Sequence, residues 1–140
     1  MIPDTGHWTL AEGLEYSPDR FGFIYLITNT VTNQRYIGKK QCLSKVRRKP
    51  LKGHKRARLG FKESDWKSYT SSSKELNEDI QKYGKDKFAF VIIEWCDSKW
   101  ELAYHEARIQ FERNVLFESN YYNGILNLRI RRAPRGARRR

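Results

Sequence analysis

Two tyrosines open the chemical reading: Gly22-Phe23-Ile24-Tyr25 is followed, after ten residues, by Tyr36-Ile37-Gly38. Alternation along a strand puts side chains of one parity on one face. A hairpin can therefore bring Tyr25 and Tyr36 onto neighbouring strands, close enough to share a phosphate-sized ligand. Both are then candidates for proton transfer. A free phenol ionises near pH about 10, so roughly one molecule in a thousand carries the phenolate at neutral pH, and nearby cations must shift that balance. Lys39 and Lys40, just beyond the second tyrosine, have the right sign for it. The pair also has a plain structural reading, in which two strand tyrosines pack on a core with their hydroxyls in water.

The charge distribution names a partner for such a site. The chain carries 28 Lys and Arg against 16 Asp and Glu, a net charge of +12 over 140 residues. Ten of the cations (Lys39, Lys40, Lys45, Arg47, Arg48, Lys49, Lys52, Lys55, Arg56 and Arg58) fall in one stretch without an acidic residue, and seven arginines fill residues 129–140. The rest of the chain holds 11 basic and 16 acidic residues, so a mildly acidic body bears two concentrated patches of positive charge. Such segregation points to a polyanion, nucleic acid before a membrane surface or an acidic protein.

FGFIYLITN over 21–29, the turn residues NTVTNQ and then RYIG read as a β-hairpin that would carry both tyrosines. Residues 1–20 show no sustained period and read as a wrapping arm anchored by Trp8 and Tyr16. The basic stretch 39–60, with Pro50, Gly53 and Gly60, reads as a loop or a loop with a short helix. Ser72-Ser73-Lys74-Glu75 has the form of a capping box and begins a helix through Leu76, Ile80 and Tyr83 that Gly84 stops. FAFVIIEW reads as a buried strand. A second capping box, Ser98 to Glu101, opens a helix whose stripe Trp100, Ala103, Tyr104, Ala107 and Phe111 runs to about Leu116. The turn Tyr121-Tyr122-Asn123-Gly124, a short edge strand in ILNLRI and an Arg-rich flexible tail over 131–140 complete the chain. The expected fold is α/β in the α+β sense: a small three-stranded antiparallel sheet flanked by helices, in one domain over 21–130.

Several classes are excluded. At 39% hydrophobic and 14% aromatic residues the chain can bury a core, removing roughly two-thirds of its unfolded surface from water. Its longest apolar run, Phe88 to Ile93, is six residues, far short of the roughly twenty a membrane helix needs, so no membrane partner is expected. Cys42 and Cys96 form no CxxC pair and read as reduced thiols of an intracellular protein.

The tripeptides FIY and YIG at this separation resemble the signature of the GIY-YIG nuclease family, with Phe23 in place of the first glycine. The Ser-Ser-led helix, the F-x-F-x-I strand, Glu106 within YHEARIQ and Asn123 within YYN follow in the family's order over residues 21–127, closest to its stand-alone and intron-encoded phage members. The resemblance implies a DNA endonuclease that leaves 5′-phosphate and 3′-hydroxyl ends. It implies that Tyr25 and Tyr36 are the paired tyrosines, one of which helps deprotonate water. Gly38 would end the second strand beneath the DNA, Glu106 would hold one Mg²⁺ or Mn²⁺ ion, and Asn123 would brace the site, with Asn127 as second choice. It further implies an arginine on a helix after YIG, Arg47 or Arg48, and a histidine before Ser72 whose place Tyr69, Lys40 or His54 fills. Gly38, Lys39, Lys40, Lys45, Lys49, Lys52, His54, Lys55, Arg56, Arg58, Arg131 and Arg132 are the expected DNA contacts, made by a monomer or a transient homodimer. The competing reading is a basic DNA- or RNA-binding module that does not cut; it explains the charge but not the ordered set of tyrosines, glutamate and asparagine.

Overall fold

The computed structural model describes residues 4–17, 19–126 and 128–139. Its centre is the expected hairpin: β2 (Gly22–Asn29) and β3 (Arg35–Gln41) pair antiparallel in the register Tyr25 with Gly38 and Ile27 with Tyr36. β6 (Phe88–Cys96) pairs antiparallel with the other edge of β2. The sheet has four strands rather than three, because Thr9–Leu10 of the N-terminal arm, β1, pairs parallel with β6 and gives the order β1-β6-β2-β3.

Both faces of β2 are buried, which is why its sequence is apolar throughout instead of alternating. Phe23, Tyr25 and Ile27 point to one side, against Trp8, Trp66, Leu76 and Phe90. Ile24 points to the other side, against Leu102 and Ile109. The arm is thus part of the core: Trp8 is 2% exposed and donates its indole N–H to Trp66 O at 2.5 Å.

Helix α1 (Lys74–Tyr83) starts one residue later than the capping box suggested. Ser73, not Ser72, accepts the Leu76 N–H, and Gly84 closes the helix at φ 97°. Helix α2 (Lys99–Glu112) is capped by Ser98, whose hydroxyl accepts the Glu101 N–H while the Glu101 carboxylate accepts from Asp97 N. α2 stops at Glu112 rather than near Leu116, with Asn114 in the left-handed conformation at φ 53°. Its buried face also differs from the apolar stripe. Leu102, His105, Ile109 and Gln110 face inward, whereas Tyr104 and Phe111 are exposed.

Two further expectations change. The basic stretch after β3 forms an antiparallel pair, β4 (Leu43–Arg48) with β5 (Arg58–Glu63), as a separate two-stranded sheet. Pro50 and Gly53 belong to the connection between those strands. ILNLRI forms no strand among its described residues, because the free edge of β3 is taken by the chain just before it: Arg35 N donates to Asn120 O and Tyr122 N to Arg35 O, both at 2.7 Å. Beyond it, residues 131–139 lie along α2. Arg108 donates to His105 Nδ1, so Nε2 carries the proton and donates to Arg138 O at 3.1 Å; Arg138 in turn pairs with Asp97 and Glu101. No helix among the described residues is long and apolar enough to cross a membrane.

Candidate active site

Tyr25 and Tyr36 share one face of the hairpin as diagonal neighbours, their ring centroids 6.2 Å apart. A one-residue bulge on β6, between the partners of Ile24 and Tyr25, lies directly beside them. Bulges of this kind re-aim a side chain at the cost of ladder regularity. Tyr25 is 1% exposed, packed among Trp8, Tyr36 and Tyr69. Its ring lies over Gly38, where an added Cβ would stand 2.4 Å from the Tyr25 hydroxyl and 2.9 Å from the Tyr36 ring. Gly38 is thus the seat of the tyrosine pair, in mid-strand, and β3 continues three residues past it. Gly38→Ala is expected to destabilise the protein by about 1–3 kcal/mol through overpacking, measured by urea denaturation. An unchanged midpoint would show that the tyrosines move aside freely.

Burial raises the Tyr25 phenol well above its usual range, and Tyr36, Tyr69 and Glu106 add to the effect. Burial also raises Tyr36, opposed by a hydrogen bond from Ser72. Lys39 and Lys40, expected to favour the phenolate, do not outweigh burial, and the reason is visible. Lys39 sits 3.7 Å from Glu106, while Lys40 pairs with Asp65 at 2.7 Å and lies 4.1 Å over the Tyr69 ring. Each cation faces a carboxylate.

Glu106 projects from α2 past the edge of β3, its side chain 21% exposed. Burial raises its carboxyl pKa against the lowering influence of Lys39. It lines two adjoining clefts. One, of about 310 Å³, also takes in Tyr36, Ser72, Gln110 and Asn123; the other, of about 450 Å³, takes in Lys39, Lys40, Ser44 and Arg129. A larger cavity of about 980 Å³ lies on the outer side of α2, among Trp100, Tyr104, Phe111, Arg131 and Arg132, apart from Glu106.

Asn123 fixes the strand between the two catalytic candidates. Its Oδ1 accepts the Ile37 N–H at 3.0 Å and its Nδ2 donates to Ile37 O at 2.9 Å, so one side chain completes both hydrogen bonds of a missing neighbouring strand. Gln110 donates to the same carbonyl at 3.1 Å. Gln110 escaped the sequence reading; its signal was the spacing of four from Glu106, which puts both on one face of α2.

The structure brings together Tyr25, Tyr36, Gly38, Lys39, Lys40, Glu106 and Asn123. Tyr69 and Lys40 stand at the tyrosine pair where a histidine was missing, while His54 lies in the β4–β5 connection. Arg47 and Arg48 do not reach the clefts. The helix expected to carry them is strand β4, where Arg47 is exposed and Arg48 donates to Phe61 O across the hairpin. The arginine that lines the cleft with Glu106 is Arg129. Among the described residues no three His, Cys, Asp or Glu side chains come together, so the site offers a divalent ion one carboxylate. That donor set fits Mg²⁺, which binds through one or two carboxylates, retains waters and takes substrate phosphate oxygens as ligands.

Residues 8–126 match the family model described as "Putative endonuclease segE, GIY-YIG domain". The chain belongs to the GIY-YIG nuclease family. No curated protein and no solved structure gives a match. Membership of that family supports an endonuclease and implies DNA as its substrate. The match begins at Trp8, within the arm. Phe23, where the GIY-YIG signature has its first glycine, is fully buried with its ring 5.1 Å from Trp8 and 5.8 Å from Trp66 and Trp95. The larger residue fills the space that Trp8 of the arm encloses with Trp66 and Trp95 over that face of the sheet.

Proposed function

We propose that this chain hydrolyses phosphodiester bonds of double-stranded DNA at the outer edge of β3, with Glu106 holding one Mg²⁺ or Mn²⁺ ion. The observation that carries the reading is a largely buried carboxylate in a cationic cleft, facing Lys39 and Arg129. A surface that only binds DNA gains nothing from a buried anion there, since it repels phosphate; a surface that must hold a cation against phosphate needs one. When bound, the ion supplies Lewis-acid stabilisation of the charge that develops on the phosphate and the leaving oxygen.

The chain's own residues do the rest. Lys39 and Arg129 neutralise non-bridging oxygens and position the backbone. Tyr36, the member of the tyrosine pair that lines the cleft, orients the attacking water and relays its proton: the hydroxyl oxygen takes the water's proton while the tyrosine's own hydroxyl proton passes to solvent as the new P–O bond forms. Ser72 supports that oxygen. Tyr25, buried behind it, and Asn123 hold Tyr36 in place. The bond to the 3′ oxygen breaks, leaving 5′-phosphate and 3′-hydroxyl ends. One such centre cuts one strand, so supercoiled plasmid is expected to become open circle before linear DNA accumulates. The test is plasmid incubated with protein and Mg²⁺, beside an EDTA control that is expected to stop the reaction. Plasmid that stays supercoiled with Mg²⁺ and with Mn²⁺, while the protein still retards it in a gel, would establish the binding module instead.

A further inference from the structure

The hairpin β4–β5 stands apart from the sheet that carries the site, and its strands pair only with each other. We propose that it is a major-groove ribbon: it lies in the groove of the DNA being cut and reads base edges there, so that this chain carries its own sequence reader. The proposal rests on the endonuclease reading for its substrate and extends it to recognition.

Size and charge favour that occupant. Six paired residues span about 20 Å, or about six base steps at 3.4 Å each. A two-stranded ribbon is one of the elements that the B-form major groove, about 12 Å wide, admits, whereas the deep and narrow groove of duplex RNA does not. The two strands together carry Lys45, Arg47, Arg48, Arg58 and Lys62 against Glu63, a concentration of positive charge that favours a polyanion.

The two faces of the ribbon are unlike. Arg48 donates to Phe61 O and Arg58 donates to Lys49 O, so the face that carries both arginines is tied to its own backbone. The opposite face presents Lys45, Arg47 and Phe61. Phe61 is 53% exposed, and among the described residues neither the Lys45 nor the Arg47 side chain has a partner. That is a chemistry for base edges: Arg and Lys donate to guanine O6 and N7, and an aromatic ring contacts the thymine methyl.

The root is rigid. Ser64 donates its N–H to Cys42 O at 2.8 Å and its hydroxyl to Gln41 O at 2.6 Å, while Cys42 N donates to Phe21 O at 2.7 Å. β3, which carries Tyr36 and Lys39, ends one residue before β4 begins. A ribbon seated in the groove therefore sets which phosphate meets Glu106, and its contacts fall within about one helical turn on one side of the cut.

The test uses the full-length Glu106→Gln protein, which is expected to bind DNA and to cut it far more slowly, in buffer with EDTA. A pool of 30-bp duplexes with a randomised centre is selected for binding, and the selected duplexes are probed by dimethyl sulfate interference at guanine N7. A preferred sequence is expected, with interference confined to one side of the site. Adding Arg47→Ala should weaken binding to the selected duplex by about 10- to 100-fold and to random duplex by less than about 3-fold. Arg47→Lys, which keeps the charge but loses the planar fork, should fail at the selected duplex and succeed at the random one. The proposal is overturned by a selection without preference, by no N7 interference, by equal losses on both duplexes, or by equal competition from duplex RNA of the same sequence. Wild-type protein that never nicks plasmid, while its Glu106→Gln form shows the one-sided N7 pattern, would remove the nuclease reading and leave the ribbon.

Discussion

Glu106→Gln is expected to lower the nicking rate by about 10²- to 10³-fold or more and, in the same protein, to raise the thermal midpoint at pH 8 by about 2–5 °C. The loss of rate follows from removing the one carboxylate that lines both clefts. The gain in stability follows from the sign of the carboxyl shift. Burial raises the Glu106 pKa in the fold, so the native state favours the protonated acid. As pH rises from the ordinary carboxylate range through that raised value, ionisation of Glu106 subtracts stability, and the deficit persists at every higher pH. Glutamine has no charge to desolvate, and Lys39, left without its partner, is 46% exposed and hydrates readily. The two proteins should converge as pH falls below the raised value. Calorimetry across pH alongside a plasmid relaxation assay separates the outcomes. A Gln variant that is less stable at pH 8 would show that the Lys39 ion pair outweighs desolvation, and one that still cuts would remove Glu106 from the chemistry.

The parts of this fold legible in the sequence are those decided locally. The hairpin over β2 and β3, both helix starts and the strand FAFVIIEW follow from turn residues, capping serines and β-branched runs, and all four are present. β1 was not legible, because two residues of an irregular arm become a strand only through a parallel partner some eighty positions away. The phase of α2 was misread for a related reason. The hydrophobic stripe of Trp100, Tyr104 and Phe111 lies outward, while the inward face uses polar side chains with specific partners: Gln110 on Ile37 O, His105 on Arg138 O, Glu101 on Asp97 N. A helix that builds a site buries polarity, so its hydrophobic pattern no longer reports which face is inside. The basic stretch misled in the other direction, since a run of cations with Pro50 and Gly53 looks like a loop, whereas Leu43, Val46 and Phe61 sit in paired strands. For the site, the residue types and spacing were legible. What each residue is for was not, because the tyrosine shifts depend on burial and on where Lys39 and Lys40 find their carboxylates.

Asn123→Ala is expected to destabilise the protein by about 2–3 kcal/mol and to slow cutting by about 10²-fold, with little change in DNA affinity. β3 is the edge of its sheet, so the outward N–H and C=O of Ile37 have no strand to meet. The amide of Asn123 supplies both partners, and alanine leaves the buried N–H with none. Gln110 still holds the carbonyl, so Gln110→Leu should be the milder change. Ile37 lies between Tyr36 and Gly38, so slack there moves the tyrosine in the cleft and the glycine on which Tyr25 rests. Asn123→Asp offers a sharper comparison. Its carboxylate can still accept from Ile37 N–H but sets a second oxygen against Ile37 O, so it should lose activity nearly as far as alanine while keeping the shape of asparagine. Urea denaturation and single-turnover cutting at saturating protein measure the two effects separately. If Asn123→Ala loses its rate with an unchanged unfolding midpoint, then Asn123 acts on the reacting atoms; if both fall together, it acts through the strand.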